Sequence, residues 1–215
     1  MNAVIIGANG LIGSLLVDLL IETQRIDQVT IIHYRQLKYD HSKIKFVKCD
    51  FNKLDDLKLP YQGDIAYCCL GTTRKKTPDL EMYHQIDVVF PINFAVWFKK
   101  QGGKHFSVVS AIGAKSTASN FYTKFKGQLE DGLVAIDIPQ FSIMQPSLLL
   151  GSRGEKRLAE SVGKRFAHLI NKVLLGSLSK YRAVDAEKVA NVMLAASLKQ
   201  EQRVQRYNWG DFSYF

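Results

Sequence analysis

Apolar positions come along this chain in short bursts, separated by longer stretches whose apolar residues recur at helical spacing. The segment "AVIIG" (3–7) is a brief apolar run closing on glycine, and "LIGSLLVDLLIE" (11–22) carries its leucines three and four apart. The β-branched "QVTIIHY" (28–34) and the alternating "KIKFVKCD" (43–50) read as strands, as does the buried-type run "DIAYCCLG" (64–71). A long helical pattern spans about 79–100, with Pro91 expected to kink it. "KHFSVVS" (104–110) is a fifth strand, followed by a polar loop and a helix through residues 120–130. "QFSIMQPSLLLG" (140–151) holds a sixth strand ending near Pro146, and helical patterns return at 155–175 and 185–199. Such alternation predicts an α/β protein: a doubly wound, mostly parallel sheet with right-handed crossovers, Rossmann-like, in three α/β/α layers.

The 215 residues suit a single domain spanning 1–215. Hydrophobic residues make up 47% and charged residues 23%, which provides a sizeable core. No apolar run reaches the ~18 residues of a membrane span. The first strand starts so close to Met1 that a leader peptide has no room, so cytoplasmic residence without a membrane is expected. Cys49, Cys68 and Cys69 have no zinc-type spacing and read as reduced, mostly buried thiols; no metal is expected. A net charge of +9 favours anionic partners. The cations are spread along the chain without a recognised nucleic-acid module or aromatic–basic interleaving, so nucleic acid is not expected.

The first strand runs into "GANGLIG", which sets Gly7, Gly10 and Gly13 around Asn9, Leu11 and Ile12 at the start of a helix. Glycines there allow the tight turn and the approach of backbone to a pyrophosphate, which the N–H groups of the helix start then hold. The signal is strong because the turn follows a strand and opens a βαβ chain. NAD sites place an acid about 20 residues further on, to bond the ribose 2′-hydroxyl. Here that stretch reads His33, Tyr34, Arg35, with no acid before Asp40. An arginine in that place suits a 2′-phosphate, so NADP(H) is the expected cofactor and NAD(H) the alternative. Asp50 fits the adenine edge, with Phe51 offering backbone beside it; a cap on the following segment is an equal reading for Asp50. Leu70, Gly71, Thr72 and Thr73 end the fourth strand where a parallel sheet opens its ligand crevice.

With a dinucleotide at the strand ends, the fifth strand delivers Ser110 to the same crevice, and Tyr122 and Lys126 follow on the next helix, one turn apart. This Ser…Tyr-x-x-x-Lys pattern resembles the short-chain dehydrogenase/reductase superfamily over nearly the whole chain. More narrowly, "CCLGTTRKKTPDLEMYHQID" (68–87), "HFSVVSAIGAKSTASNFYTKFKGQLE" (105–130) and "QPSLLLGSRGEKRLAE" (145–160) resemble the atypical branch that holds the Tat-interacting-protein-like oxidoreductases and their small bacterial relatives.

The resemblance implies that Tyr122 is the general acid for carbonyl reduction, or the base in reverse. A phenol titrates near ~10, and a neighbouring cation draws it toward working pH. Lys126 supplies that charge and, with Tyr122, contacts the nicotinamide ribose. Ser110 hydrogen-bonds the substrate oxygen; Ser116 and Ser119 share its loop. Pro146, Ser147 and Leu148 match the segment that meets the carboxamide. Gln145 stands where relatives commonly carry arginine, which puts an inherited charge partner in doubt.

Hydride transfer between NADP(H) and a small carbonyl or alcohol substrate is the expected activity, with residues from about 145 to 215 shaping the substrate side. The basic "TTRKKT" (72–77) reads either as a solvated loop or as an entrance favouring an anionic substrate or the cofactor phosphate. "RGEKRLAE" reads as a lid or as a plain surface stretch. A sensor of NADP(H) that binds another protein is the alternative function, and monomer and homodimer both stay open.

Overall fold

A computed structural model describes residues 1–34, 39–59, 63–151, 174, 176–199 and 201–214. The strands are β1 (Asn2–Ile6), β2 (Gln28–His33), β3 (Ile44–Lys48), β4 (Ile65–Cys68), β5 (His105–Val109), β6 (Gln140–Met144) and β9 (Val204–Tyr207). They form one sheet in the order β3-β2-β1-β4-β5-β6-β9. Every pairing in it is parallel, with Ile5 facing both Ile31 and Tyr67 across the ladder. The chain reverses direction across the sheet between β1 and β4, which opens a crevice at the carboxyl ends of those strands. A small second pair joins β7 (Leu149–Leu150) to β8 (Val184–Asp185).

Both faces of the sheet are covered, and strand alternation sorts the core into two halves. Ala3 and Ile5 of β1 face one side, with Leu16 and Leu20 of α1 (Leu11–Glu22) and Val189 and Met193 of α5 (Ala186–Lys199). Val4 and Ile6 face the other, against Phe94 and Phe98 of α3 (Phe90–Lys100) and Leu129 and Leu133 of α4 (Phe121–Val134). There Phe106 and Phe141 stack with ring centroids 5.4 Å apart, and the Trp97 indole donates to the Leu57 carbonyl at 2.9 Å. This is the Rossmann-like α/β/α architecture expected from the alternating pattern.

Two differences from the sequence reading matter for the site. The helical stretch before β5 is not one kinked helix. It comprises α2 (Leu80–His84), a π-helical turn (Gln85–Val89) and α3. Pro91 lacks the N–H that an α-helical register needs four residues after Asp87. The wider turn shifts the pairing, with the Phe90 N–H bonding the Gln85 carbonyl, and so absorbs the proline without a break. The edge strand β9 was not expected, because its four residues are only half-buried or exposed and show no apolar burst. A short helix α6 (Trp209–Phe212) follows it. The helical pattern at 155–175 and "RGEKRLAE" lie outside the described residues.

His105, at the start of β5, is 2% exposed, and its Nε2 lies 2.9 Å from Ser142 Oγ. Burial, opposed by a bond with Gln140, pushes its pKa down to about 4 from an ordinary 6.5. The native state therefore keeps His105 neutral while the unfolded chain binds a proton below pH ~6.5. The linked stability is complete above that pH and is lost as pH falls toward 4, by a total on the order of 3 kcal/mol. Urea midpoints of the wild type and His105→Gln across this range check it: the wild type should decline more steeply, and parallel curves would contradict the assignment.

Candidate active site

The β1–α1 turn forms the first wall of the crevice. Gly7 has φ +79°, and a Cβ there would sit 2.4 Å from the Cys69 carbonyl carbon; a Cβ on Gly13 would meet the Gly7 carbonyl oxygen at 2.2 Å. The turn thus presses β1 against β4 and lays α1 over it, a packing only glycine allows. Gly10 caps α1 with no side-chain bond, and the first turn, which holds Leu11 and Ile12, carries no acid. Its backbone N–H groups suit an anion.

A cavity of about 660 Å³ opens beside this turn. Gly7, Asn9, Tyr34, Asp50, Phe51, Leu70, Gly71 and Thr72, all expected at a cofactor, line it. Ala8, Ile32, His33, Asn52, Met82, Ile86 and Phe90 line it as well and were not singled out from sequence. The last three come from α2, the π turn and the start of α3, so only the folded helix brings them to the cavity. Gly10, Leu11, Ile12, Gly13, Thr73, Tyr122, Lys126, Pro146 and Leu148 are not among its lining residues. Arg35, on which the NADP(H) reading leans, lies outside the described residues. Tyr34 beside it is 65% exposed.

Asp50 caps the following turn, as one of its two readings expected. Its carboxylate accepts from Asn52 N at 3.0 Å and Asn52 Nδ2 at 2.9 Å, capping the turn Phe51–Asp56, while the residue also lines the cavity. Those bonds, backbone first, hold its pKa below the ordinary value. Thr72 and Thr73 serve their own loop. The Thr72 and Thr77 hydroxyls are 2.7 Å apart, and the Thr73 carbonyl accepts from the N–H groups of Lys76 and Thr77.

The second wall is α4. Asn120 caps it, accepting from Tyr122 N at 2.9 Å, so Tyr122 stands in the first turn and is 39% exposed. Lys126, one turn deeper, is 4% exposed. Its ammonium lies 3.0 Å from Asp87 Oδ2 and donates to the Val109 carbonyl at 3.4 Å. Asp87, 1% exposed, accepts from Thr72 N through Oδ1 at 2.9 Å. Burial works against the Lys126 charge, but Asp87, followed by Tyr122, outweighs it and raises the amine above its usual value. Lys126 is a held cation, and Tyr122 lies within its electrostatic reach. The next residue, Gly127, leaves room for the Lys115–Ser116 backbone, which a Cβ would meet at 2.1 Å.

Asp87 was not singled out from sequence. An acid inside the apolar run "QIDVVF" was a usable signal, because a charge buried there needs a partner.

Ser110 sits where β5 ends, yet its hydroxyl is 2% exposed and donates to Glu130 Oε1 at 2.6 Å. Glu130, on α4, also accepts from Gln145 Nε2 at 2.8 Å and from Arg206 Nε of β9 at 3.1 Å. The missing arginine at position 145 is thereby answered: Arg206 brings the positive charge to Glu130 and Gln145 a neutral donor. Pro146 is buried, with its carbonyl accepting from Ile112 N at 2.9 Å; Leu148 is 65% exposed. Burial pushes the Cys68 thiol up to about 12 and that of Cys69 well above its ordinary range, so neither is a ready thiolate.

Glycine turn, crevice and strand order together define a dinucleotide-binding protein of the Rossmann kind. Residues 7–138 match the family model described as NAD(P)H-binding, and the chain belongs to that family as an atypical short-chain dehydrogenase/reductase. It is 31% identical to "Protein HTATIP2" of Rattus norvegicus over 166 residues, covering 75% of this chain and 68% of that one. It is 34% identical to "Protein FMP52, mitochondrial" of Meyerozyma guilliermondii over 155 residues, covering 71% and 67%. Among solved structures, the Bordetella bronchiseptica enzyme WbmH in complex with NAD+ superposes with a TM-score of 0.71 at 19% identity, covering 97% of this chain and 75% of that one. At that identity the likeness is one of fold. The cradle suits a nicotinamide dinucleotide: its walls are glycine and backbone at the turn, and a cavity of about 660 Å³ lies beside it. No described helix is long and apolar enough to cross a membrane.

Proposed function

We propose that the chain is an NADP(H)-dependent oxidoreductase that reduces a carbonyl compound, or oxidises the corresponding alcohol, with Tyr122 as proton donor or acceptor. The observation that carries this reading is the buried Lys126–Asp87 pair at 3.0 Å, one helical turn beneath a part-exposed Tyr122. A surface lysine needs no such partner, whereas a cation held one turn below the reacting group offers positive charge where negative charge develops during proton transfer. The cofactor, when bound, supplies the hydride. The glycine turn and the N–H groups of α1 hold its phosphates, Asp50 and Phe51 flank the adenine, and Lys126 steadies the ribose beside Tyr122. Residues from about 145 onward form the substrate side of a single domain.

The commitment of the Ser110 hydroxyl to Glu130 favours a second reading, an NADP(H) sensor that acts through another protein without turnover. Cytoplasmic residence stays part of the proposal, although the fungal relatives bear "mitochondrial" in their names. Loss of NADPH absorbance over a panel of aldehydes and ketones separates the two readings. The oxidoreductase predicts turnover of at least one compound, and tight NADPH binding with none turned over points to the sensor.

A further inference from the structure

The basic loop between β4 and α2 is cross-braced. Thr72 and Thr77 close it hydroxyl to hydroxyl, the Thr73 carbonyl takes two N–H groups, and Thr72 N is tied to the buried Asp87. Arg74 sits at its tip with its guanidinium carbon 5.6 Å from the centre of the Phe121 ring, and its Nη1 donates to the Pro78 carbonyl. These two contacts fix the guanidinium over the residue next to Tyr122. Tyr83, whose hydroxyl donates to the Thr72 carbonyl, lies within electrostatic reach of both Arg74 and Tyr122.

No carboxylate pairs with Arg74 among the described residues. Asp79, the nearest acid in sequence, caps α2 by accepting from Met82 N at 2.6 Å. Glu81 is exposed in the same helix, and Lys75 and Lys76 follow the arginine. A guanidinium presents five N–H donors, so most of the fork stays open. A planar, preorganised cation without an acid partner, over the residue that precedes the candidate catalytic tyrosine, is a receptor for a carboxylate or phosphate.

We infer that Arg74, held by Phe121 and Pro78 at the start of the helix that carries Tyr122, binds an anionic group on the substrate, so that the chain acts on carbonyl compounds carrying a carboxylate or phosphate. This rests on the reading of Tyr122 as the proton donor in carbonyl reduction. The balance is that of the parent reaction: hydride from NADPH would reach the carbonyl carbon, the Tyr122 proton would reach its oxygen, a proton from water would restore the Tyr122 hydroxyl, and the products are an alcohol and NADP+. The anion takes no part in bond changes; it orients the carbonyl.

The test uses two matched pairs with the full chain and NADPH: phenylglyoxylate against its methyl ester, and dihydroxyacetone phosphate against dihydroxyacetone. The charged member of at least one pair should be favoured about tenfold or more in kcat/KM, the gain a charge-assisted contact gives. The pair that responds tells carboxylate from phosphate. Arg74→Gln should cost the charged member about tenfold more than the neutral one, mostly through KM, and Arg74→Lys should restore only part, because it keeps the charge without the fork. Equal use of both members of each pair, or equal loss from both in Arg74→Gln, overturns the inference and leaves the oxidoreductase reading intact. Should NADPH bind but no compound turn over, calorimetry of the charged compounds with the NADP+-loaded protein decides the inference alone. Binding that Arg74→Gln abolishes supports it, and absence of binding overturns it.

Discussion

Asp87→Ala is expected to lower stability by about 3–5 kcal/mol, because it leaves the Lys126 ammonium buried without its counter-charge. The 3.0 Å contact is the only ion pair that Lys126 makes among the described residues, and Thr72 N loses its acceptor in the same stroke. Asp87→Asn keeps the shape and one acceptor oxygen but not the charge, so its loss should be smaller. The Lys126 amine is raised in the folded protein, so its linked stability is fully present below the unfolded amine's pKa near ~10.4 and is lost only as pH rises through the folded value. The wild type should therefore hold this contribution constant from neutral pH to about pH 9, whereas in Asp87→Ala burial, no longer opposed by Asp87, draws the amine down, so the variant should recover part of the loss as pH rises. Urea unfolding read with the rate of NADPH-dependent reduction checks both effects. A variant as stable and as active as the wild type would show that the pair anchors nothing.

Tyr122→Phe is expected to cut kcat by about 10²–10⁴-fold, the usual contribution of a positioned proton donor. The ring remains and the lost hydroxyl belongs to a side chain 39% exposed, so stability should stay within about 0.5 kcal/mol of wild type. That separation of rate from stability distinguishes a chemical role from a packing one. An unchanged rate in Tyr122→Phe would move proton transfer to another group, and the regulatory reading would gain wherever the biological role also survived.

What the sequence disclosed about this site followed the range of the signal. The GANGLIG turn and the Tyr122–Lys126 spacing are local, each set within one or two turns of chain, and both fall where the pattern puts them. Asp87 depends on something longer. Pro91 forces a wide turn into the helix, and only then does the carboxylate at 87 lie between Thr72 and Lys126. Glu130 depends on longer range still, since its donors come from just past the ends of β5 and β6 and from β9. No sequence period announces β9, an edge strand of four residues, so the arginine missing at 145 could not be traced to Arg206 until the strands were ordered. Ser110 was legible as a strand-end hydroxyl, but its donor commitment to Glu130 was not, because that bond spans twenty residues.

Calorimetric titration of the purified protein with NADPH, NADH and NADP+ at one moderate salt concentration decides whether the crevice holds a nicotinamide dinucleotide, and which one. Saturable binding of NADPH is expected, tighter than that of NADH by about tenfold or more, with Arg35→Ala removing most of the difference. Failure of all three nucleotides to bind would contradict it, and would leave the glycine turn and the cavity beside it as features of fold alone.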